Sequence, residues 1–259
     1  MQTVILAGGL GTRISEESAF KPKPMIEIGG MPILWHIMKT YSFYGFNDFV
    51  ICAGYKQHII KEWFADYFLH TSDVTFDYTS GNGEMIVHNK HVEPWKVTIV
   101  DTGLNTSTGG RVKKIKEYVG NERFMLTYGD GVADVNVPEV IKYHEEHGKI
   151  GTMCMYNFAQ SKGVVEVGND GLIDAFREKS DTDGDLINIG FMVLEPTIFD
   201  YIHGDEPFEY APMNRVVADK QLVGYVHKGF WQCMDTKREM EKLESLWTDD
   251  KAPWKLWKD

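Results

Sequence analysis

Six consecutive residues near the start of the chain, Gly8, Gly9, Leu10, Gly11, Thr12 and Arg13, have the makings of an anion cradle. Glycines lack the Cβ that keeps a ligand off the backbone. Successive exposed backbone N–H groups can then wrap phosphate oxygens. The Arg13 guanidinium adds a planar fork of donors suited to the same oxygens. A little further on, Lys21 and Lys23 alternate with Pro22 and Pro24, so a stiff extended segment carries two ammonium groups. The glycine loop is not a dinucleotide fingerprint, which needs glycine where Ile14 stands, nor a P-loop, which needs Gly-Lys-Ser/Thr.

Such groups act only where strands and helices aim them. "TVILA" (3–7) reads as a buried strand that delivers the glycine loop at its carboxyl end, where α/β sheets bind ligands. Apolar residues recurring at helical spacing, with Pro32 near the start and Gly45 as a stop, predict a helix over 31–45. Segments 47–54, 85–92, 96–103 and 123–131 read as strands, and 57–69, 109–119 and 137–148 as helices. Strands alternating with helices imply an α/β fold with a largely parallel sheet. The second half is richer in strands. Segment 163–179 reads as a hairpin turning at Asn169-Asp170-Gly171, 186–196 as a strand, and 222–236 as one strand ending near Asp235. Helices are expected over 210–220 and 237–247.

A length of 259 residues and the absence of a linker or repeat favour one compact α/β domain. Its residues 1–135 carry the glycine loop, and 136–259 are expected to be the β-rich, substrate-binding half with the C-terminal helix and tail. The net charge of −11 speaks against non-specific nucleic-acid binding, so a polyanionic ligand needs locally concentrated basic residues. No apolar run approaches the roughly 18 residues of a membrane span. Three scattered cysteines, Cys52, Cys154 and Cys233, suit a reducing cytoplasm better than a disulfide framework.

"LAGGLGTR" followed by "KPKPMIEIGG" resembles the sugar-1-phosphate nucleotidylyltransferase family. Longer stretches such as "VEPWKVTIVDTG", "TGGRVKKI", "TYGDGVADV", "GFWQCMDT" and "KAPWKLW" are similar to its cytidylyl-transferring members, and the likeness runs along nearly the whole chain. The resemblance implies a Rossmann-like fold and a reaction of CTP with a hexose 1-phosphate, foremost α-D-glucose 1-phosphate. The products are CDP-hexose and pyrophosphate. It assigns nucleotide binding to Leu6, Ala7, Gly8, Gly9, Leu10, Gly11, Thr12, Arg13, Lys23, Thr106, Arg111 and Gly129. The catalytic set is Lys23, Arg13 and Asp130, and Mg2+ falls to Asp130 and Asp235. Sugar phosphate falls to Glu178, Lys179 and Asn188. The family also implies a cytoplasmic homo-oligomer that binds neither nucleic acid nor membrane.

Base choice falls in "DTGLNTSTGGR", where the glutamine-proline-glycine element of thymidylyl and uridylyl relatives is missing. Arg111 there could donate to O2 and N3 of cytosine, or it is an early helix residue contacting phosphate or solvent. Two positions depart from the family pattern: Ser180 replaces a proline and Ile189 a small residue. They leave a different phosphorylated acceptor open. A non-catalytic regulatory subunit is a weaker alternative, because Lys23, Asp130 and Asp235 are all present. Several features are read as structural. "HEEH" (144–147) lacks metal-motif spacing and is expected to be solvated at a helix end. "DGD" (183–185) is read as a loop, Asp134 as a turn or cap, and Lys21 as surface. The late tryptophans Trp231, Trp247, Trp254 and Trp257 serve either core packing or a subunit contact.

Overall fold

The computed structural model describes residues 1–259 except 82, 89–91, 159–163, 168–171, 178–184 and 259, with only the backbone described at 164–167 and 173–177 and no side chain at His70. A seven-stranded sheet organises the described residues. In chain order its strands are β1 (Gln2–Ala7), β2 (Asp48–Ala53), β3 (Lys96–Asp101), β4 (Phe124–Tyr128), β5 (Gly151–Phe158), β6 (Asp185–Leu194) and β7 (Leu222–His227). They lie in the spatial order β7-β5-β6-β4-β1-β2-β3. β1 runs parallel to β2 and β4, β2 to β3, and β5 to β7. Only β6 reverses, lying antiparallel to both β4 and β5. The mixed, mostly parallel sheet flanked by helices is the expected class.

β1 is apolar on both faces because both are covered, as parallel sheets require. Val4 and Leu6 enter one core with Val50, Cys52, Phe124 and Phe208. Ile5 and Ala7 enter the other with Ile37, Tyr41, Phe49 and Trp254. On that second face lies helix α1 (Ile33–Phe43). Trp254 and Trp257 of the tail are buried against it, which bears out the packing reading for both. They enclose His36, whose Nε2 faces the Ile28 carbonyl at 2.8 Å while Trp254 Nε1 donates to its Nδ1 at 3.3 Å. Those partners define a neutral ring, and burial lowers its pKa to about 4.

Three expected elements differ in detail. The helix at 57–69 is α2 (Gln57–Ala65) followed by a short turn of helix at Tyr67–Thr71. The helix at 109–119 is α3 (Thr108–Lys114), broken at Ile115. Both breaks fall where one residue takes ψ near zero, 8° at Asp66 and 3° at Ile115, so the ladder cannot continue. The single strand expected over 222–236 is two. β7 ends at His227, and Trp231–Cys233 leaves the main sheet to pair antiparallel with Gly131–Ala133. Asp134 pins the bend between them, its Oδ1 accepting from Phe230 N at 2.6 Å, in keeping with its reading as a turn residue.

The hairpin expected over 163–179 is present as Val164–Val167 paired with Ile173–Arg177, while its turn lies outside the described residues. α4 (Val137–His147) starts at Asn136 and stops at Gly148, which takes φ 61°. His144 in its last turn is buried rather than solvated, its Nδ1 2.8 Å from Thr152 Oγ1. α5 (Ala211–Ala218) and α6 (Lys237–Thr248) complete the helices used below. No helix among the described residues is long and apolar enough to cross a membrane.

Candidate active site

Two cavities open at the carboxyl ends of β1 and β4. The first, about 400 Å³, is walled by Gly8, Gly9, Gly11, Thr12, Lys23 and Arg111 among others. Its floor is the glycine loop, and the carbonyl side of that loop is tied down. Gly8 O accepts from Tyr55 N at 3.2 Å and from Arg111 Nη2 at 2.9 Å, and Gly11 O accepts from Ser18 Oγ at 2.9 Å. Among the described residues no protein acceptor meets the N–H groups of Gly9, Leu10 and Gly11. Unpartnered N–H groups beside a cavity form an anion-binding concavity. Gly11 takes φ 65°, a left-handed conformation that a side chain would strain. Gly8 is required for a different reason. A Cβ there would lie 2.1 Å from Arg111 Nη1.

Arg111 is buried and does not turn to solvent. Its guanidinium gathers the carbonyls of Gly8, Gly103 and Leu104, at 2.9, 2.8 and 3.2 Å, and the Thr102 hydroxyl at 2.6 Å. With a longer contact to the Ala53 carbonyl at 3.4 Å, it clamps the ends of β1, β2 and β3 to α3. The solvent-facing alternative is excluded, and the Nη1 and Nη2 donors expected for cytosine O2 and N3 are met by protein acceptors in this structure, with Arg111 standing in the cavity wall. Leu6, Ala7, Thr106 and Gly129 also line this cavity. Leu10 is 48% exposed and stands outside the wall.

The second cavity, about 370 Å³, adjoins the first through the shared residues Arg13, Tyr128 and Asp130. Asp235, Asn188 and Ile189 line it. Asp235 arrives because Trp231–Cys233 pairs with Gly131–Ala133 and Met234 N donates to Asp130 O at 2.8 Å. Thr236 and Glu239 cap α6 reciprocally, and Glu239 also accepts from Asp235 N at 2.8 Å, which fixes the backbone there.

Where the cavities meet, Lys23 Nζ donates to Asp130 Oδ2 at 2.6 Å and to Asp235 Oδ1 at 2.5 Å. Arg13 Nη1 holds the other Asp235 oxygen at 2.6 Å. Burial alone would pull the Lys23 ammonium down. The charge of Asp130 and the hydrogen bonds to both aspartates outweigh it, so its pKa lies above the ordinary lysine value. Lys21 instead pairs with Glu27 at 2.8 Å, away from the cavities.

The described residues contain no cluster of three or more His, Cys, Asp or Glu side chains placed for a metal. The pair Asp130 and Asp235 still fits Mg2+, which asks for one or two carboxylates when phosphates and water supply the rest. Both carboxylates already converge on one cationic atom. Glu178, Lys179 and Ser180 lie outside the described residues.

Tyr128 and Glu209, unmarked in the sequence, line the second cavity, as does Trp231, expected there only as a packing or subunit-contact residue. Tyr128 directly precedes Gly129-Asp130, a position that could have flagged it. Glu209 sits in a loop ahead of α5 with no motif around it.

A two-cavity cleft at strand ends, with a glycine cradle on one side and a lysine between two aspartates at the junction, defines a class of phosphoryl-handling enzyme. The chain belongs to the nucleotidyl transferase family, whose model matches residues 2–249. Among curated proteins it is 51% identical, over 99% of its own length and all of the other's, to glucose-1-phosphate cytidylyltransferase of Salmonella typhimurium. It is 41% identical over the same shares to the probable glucose-1-phosphate cytidylyltransferase of Bacillus subtilis. Solved structures share the fold. HddC from Yersinia pseudotuberculosis matches with a TM-score of 0.66 at 22% identity, covering 95% of this chain and 99% of that one. An apo UDP-glucose pyrophosphorylase matches with a TM-score of 0.69 at 16% identity, covering 96% and 98%. Nucleotidyltransferases of this family generally use a divalent metal ion.

Proposed function

We propose that this chain transfers a cytidylyl group from CTP to α-D-glucose 1-phosphate, giving CDP-glucose and pyrophosphate. The observation that carries the reading is the placement of Lys23, Asp130 and Asp235 where the two cavities join. Near-full-length relatives at 51% identity, which bear that enzyme's name, support the choice of substrates.

In this reading the triphosphate lies on the glycine loop, its oxygens met by the free N–H groups of Gly9–Gly11 and by Arg13. The sugar phosphate enters the second cavity, and one of its oxygens attacks the α-phosphorus. A new O–P bond forms as the bond to pyrophosphate breaks, with no protein nucleophile involved. Lys23 stands at the junction and neutralises charge on the α-phosphate and the attacking oxygen, as electrostatic catalysis of phosphoryl transfer requires. Asp130 and Asp235 would hold Mg2+, which supplies further charge neutralisation. Arg111 keeps the phosphate loop in shape, and it and Thr106 stand on the cytidine side. Asn188 takes sugar hydroxyls, and Glu178 and Lys179 are assigned to the sugar and its phosphate by resemblance. The whole chain, 1–259, acts as one catalytic domain, working in the cytoplasm as a homo-oligomer.

Buried Ile189 in the sugar-side wall favours one second reading, the same transfer to a different sugar 1-phosphate. The test is product analysis by 31P NMR, pairing CTP, UTP, dTTP, GTP and ATP in turn with glucose, galactose and mannose 1-phosphates. CDP-glucose as the main product supports the first reading. A different CDP-sugar supports the second, and no cytidylyl product with any sugar overturns both.

A further inference from the structure

The second cavity contains one carboxylate that the mechanism does not use. Besides Asp130 and Asp235, which are engaged by Lys23 and Arg13, its described lining includes Glu209. Glu209 has no cationic partner among the described residues. Its Oε1 accepts from the Tyr128 hydroxyl at 2.9 Å, and its Oε2 accepts from Thr108 Oγ1 at 2.6 Å. Those two hydroxyls use about half of the roughly four acceptor positions a carboxylate offers.

The hydrogen-bond directions are fixed all along the chain of contacts. Thr108 Oγ1 accepts from Phe208 N at 2.8 Å and donates onward to Glu209. Tyr128 donates its one proton to Glu209, and its oxygen accepts from Asn188 Nδ2 at 3.1 Å. Asn188 Oδ1 accepts from Gly190 N at 2.9 Å, which sets the amide the right way round. One hydroxyl thus ties together two cavity-lining groups of opposite character: Glu209, which can only accept, and Asn188, whose amide has a second N–H to donate. A sugar hydroxyl is the complementary ligand, because it donates one hydrogen bond and accepts others.

We propose that Glu209, held between Thr108 and Tyr128, is a specificity-determining residue for the sugar: it accepts a hydrogen bond from a hexose ring hydroxyl whose oxygen accepts from Asn188. The assignment rests on the sugar-1-phosphate reading above and adds to it the group that discriminates among hexoses. A site built to hydrogen-bond a hydroxyl rejects analogues that lack it, because its own polar groups are left unpaired.

The experiment measures kcat/KM for pyrophosphate release from CTP with glucose 1-phosphate and with its 2-, 3-, 4- and 6-deoxy analogues, in the wild type, Glu209→Gln and Tyr128→Phe. In the wild type, one ring-deoxy analogue should be disfavoured by about 10- to 100-fold. In Glu209→Gln the parent sugar should fall by a similar factor, in the KM for the sugar rather than for CTP, and that same analogue should lose nothing more. Tyr128→Phe, which frees Glu209 from one partner without removing it, should give a smaller loss of the same pattern. A wild-type deoxy penalty that survives undiminished in Glu209→Gln would overturn the assignment. So would an equal loss in the CTP and sugar KM values. CTP binding by calorimetry confirms that each variant is folded. A wild type silent with CTP and all these sugars would overturn the proposed function together with this assignment, whereas an active wild type with an unchanged penalty pattern would overturn this assignment alone.

Discussion

The two cavities are built from different materials. The first is largely backbone: one contiguous loop, Gly8–Arg13, presents N–H groups while Arg111 and Ser18 hold its carbonyls. The second is side chains brought from separate segments, Tyr128, Asn188, Glu209, Trp231 and Asp235. A backbone cradle serves any triphosphate, because phosphate oxygens look alike. A side-chain wall can be changed one residue at a time, and in the proposed function it is where acceptor choice is encoded. On that reading, reaction type and sugar identity are carried by separable parts of the molecule, which meet at Lys23.

The sharpest way to break the comparison is at that meeting point. Asp130→Asn or Lys23→Ala should lower turnover by about a thousandfold or more, since the first removes a carboxylate proposed to hold the metal and the second the positive charge proposed to face the reacting phosphates. Circular dichroism should still report a folded chain, and turnover near the wild-type level would contradict the mechanism.

The next effect is structural and belongs to the first cavity. Arg111→Ala strands several buried carbonyls, and it should cost about 1–3 kcal/mol for each acceptor that stays unpaired, read in denaturant unfolding. Gly8→Ala should also be harmful, because its Cβ would collide with Arg111, whereas nothing lies within 4 Å of a Cβ at Gly9. Unfolding curves for Gly8→Ala and Gly9→Ala should therefore separate clearly. Equal stability of the two would show that the loop is not clamped as described.

A smaller effect sharpens the contrast from the sugar side. Ile189 is buried and lines the second cavity alone. Ile189→Val should cost about 0.5–1.5 kcal/mol and change the KM for the sugar 1-phosphate while leaving that for CTP in place. A shift of the CTP value instead would mean that the cavities are not separable.

His36 supplies a control from neither cavity. Its pKa of about 4 in the folded chain lies below the ordinary value of 6.5, so the folded state binds fewer protons than the unfolded one. The stability it contributes is present above about pH 6.5 and is lost as pH falls toward 4. Unfolding free energy should drop by about 2 kcal/mol between pH 7.5 and 5 from this residue. His36→Gln should flatten that slope. An unchanged slope would place the titration elsewhere.

The same contrast governs what could be read from the sequence. Gly8–Arg13 and Lys23 announced themselves because the chemistry of a phosphate loop is written in contiguous residues and in glycine. Strands β1 to β4 and most helices followed from apolar spacing and from stops such as Gly148. The meeting of Asp130 and Asp235 is expected from the resemblance, which assigns Mg2+ to both, but nothing in their own spacing shows it. It depends on a break after His227 that sends Trp231–Cys233 to Gly131–Ala133, and a run of strand-forming residues conceals that bend. Glu209 left no trace, because a loop residue that reaches a cavity through tertiary packing has no local signature. His144 was misjudged for a related reason: its helix end is polar in sequence, but β5 covers it through Thr152.

One measurement bears on the central claim most directly: pyrophosphate release by the wild-type chain with CTP and glucose 1-phosphate together, with each substrate omitted in turn, and with Mg2+ present or chelated. The account predicts release that requires both substrates and the metal. Release from CTP without glucose 1-phosphate, or none with both substrates and Mg2+ present, would contradict it.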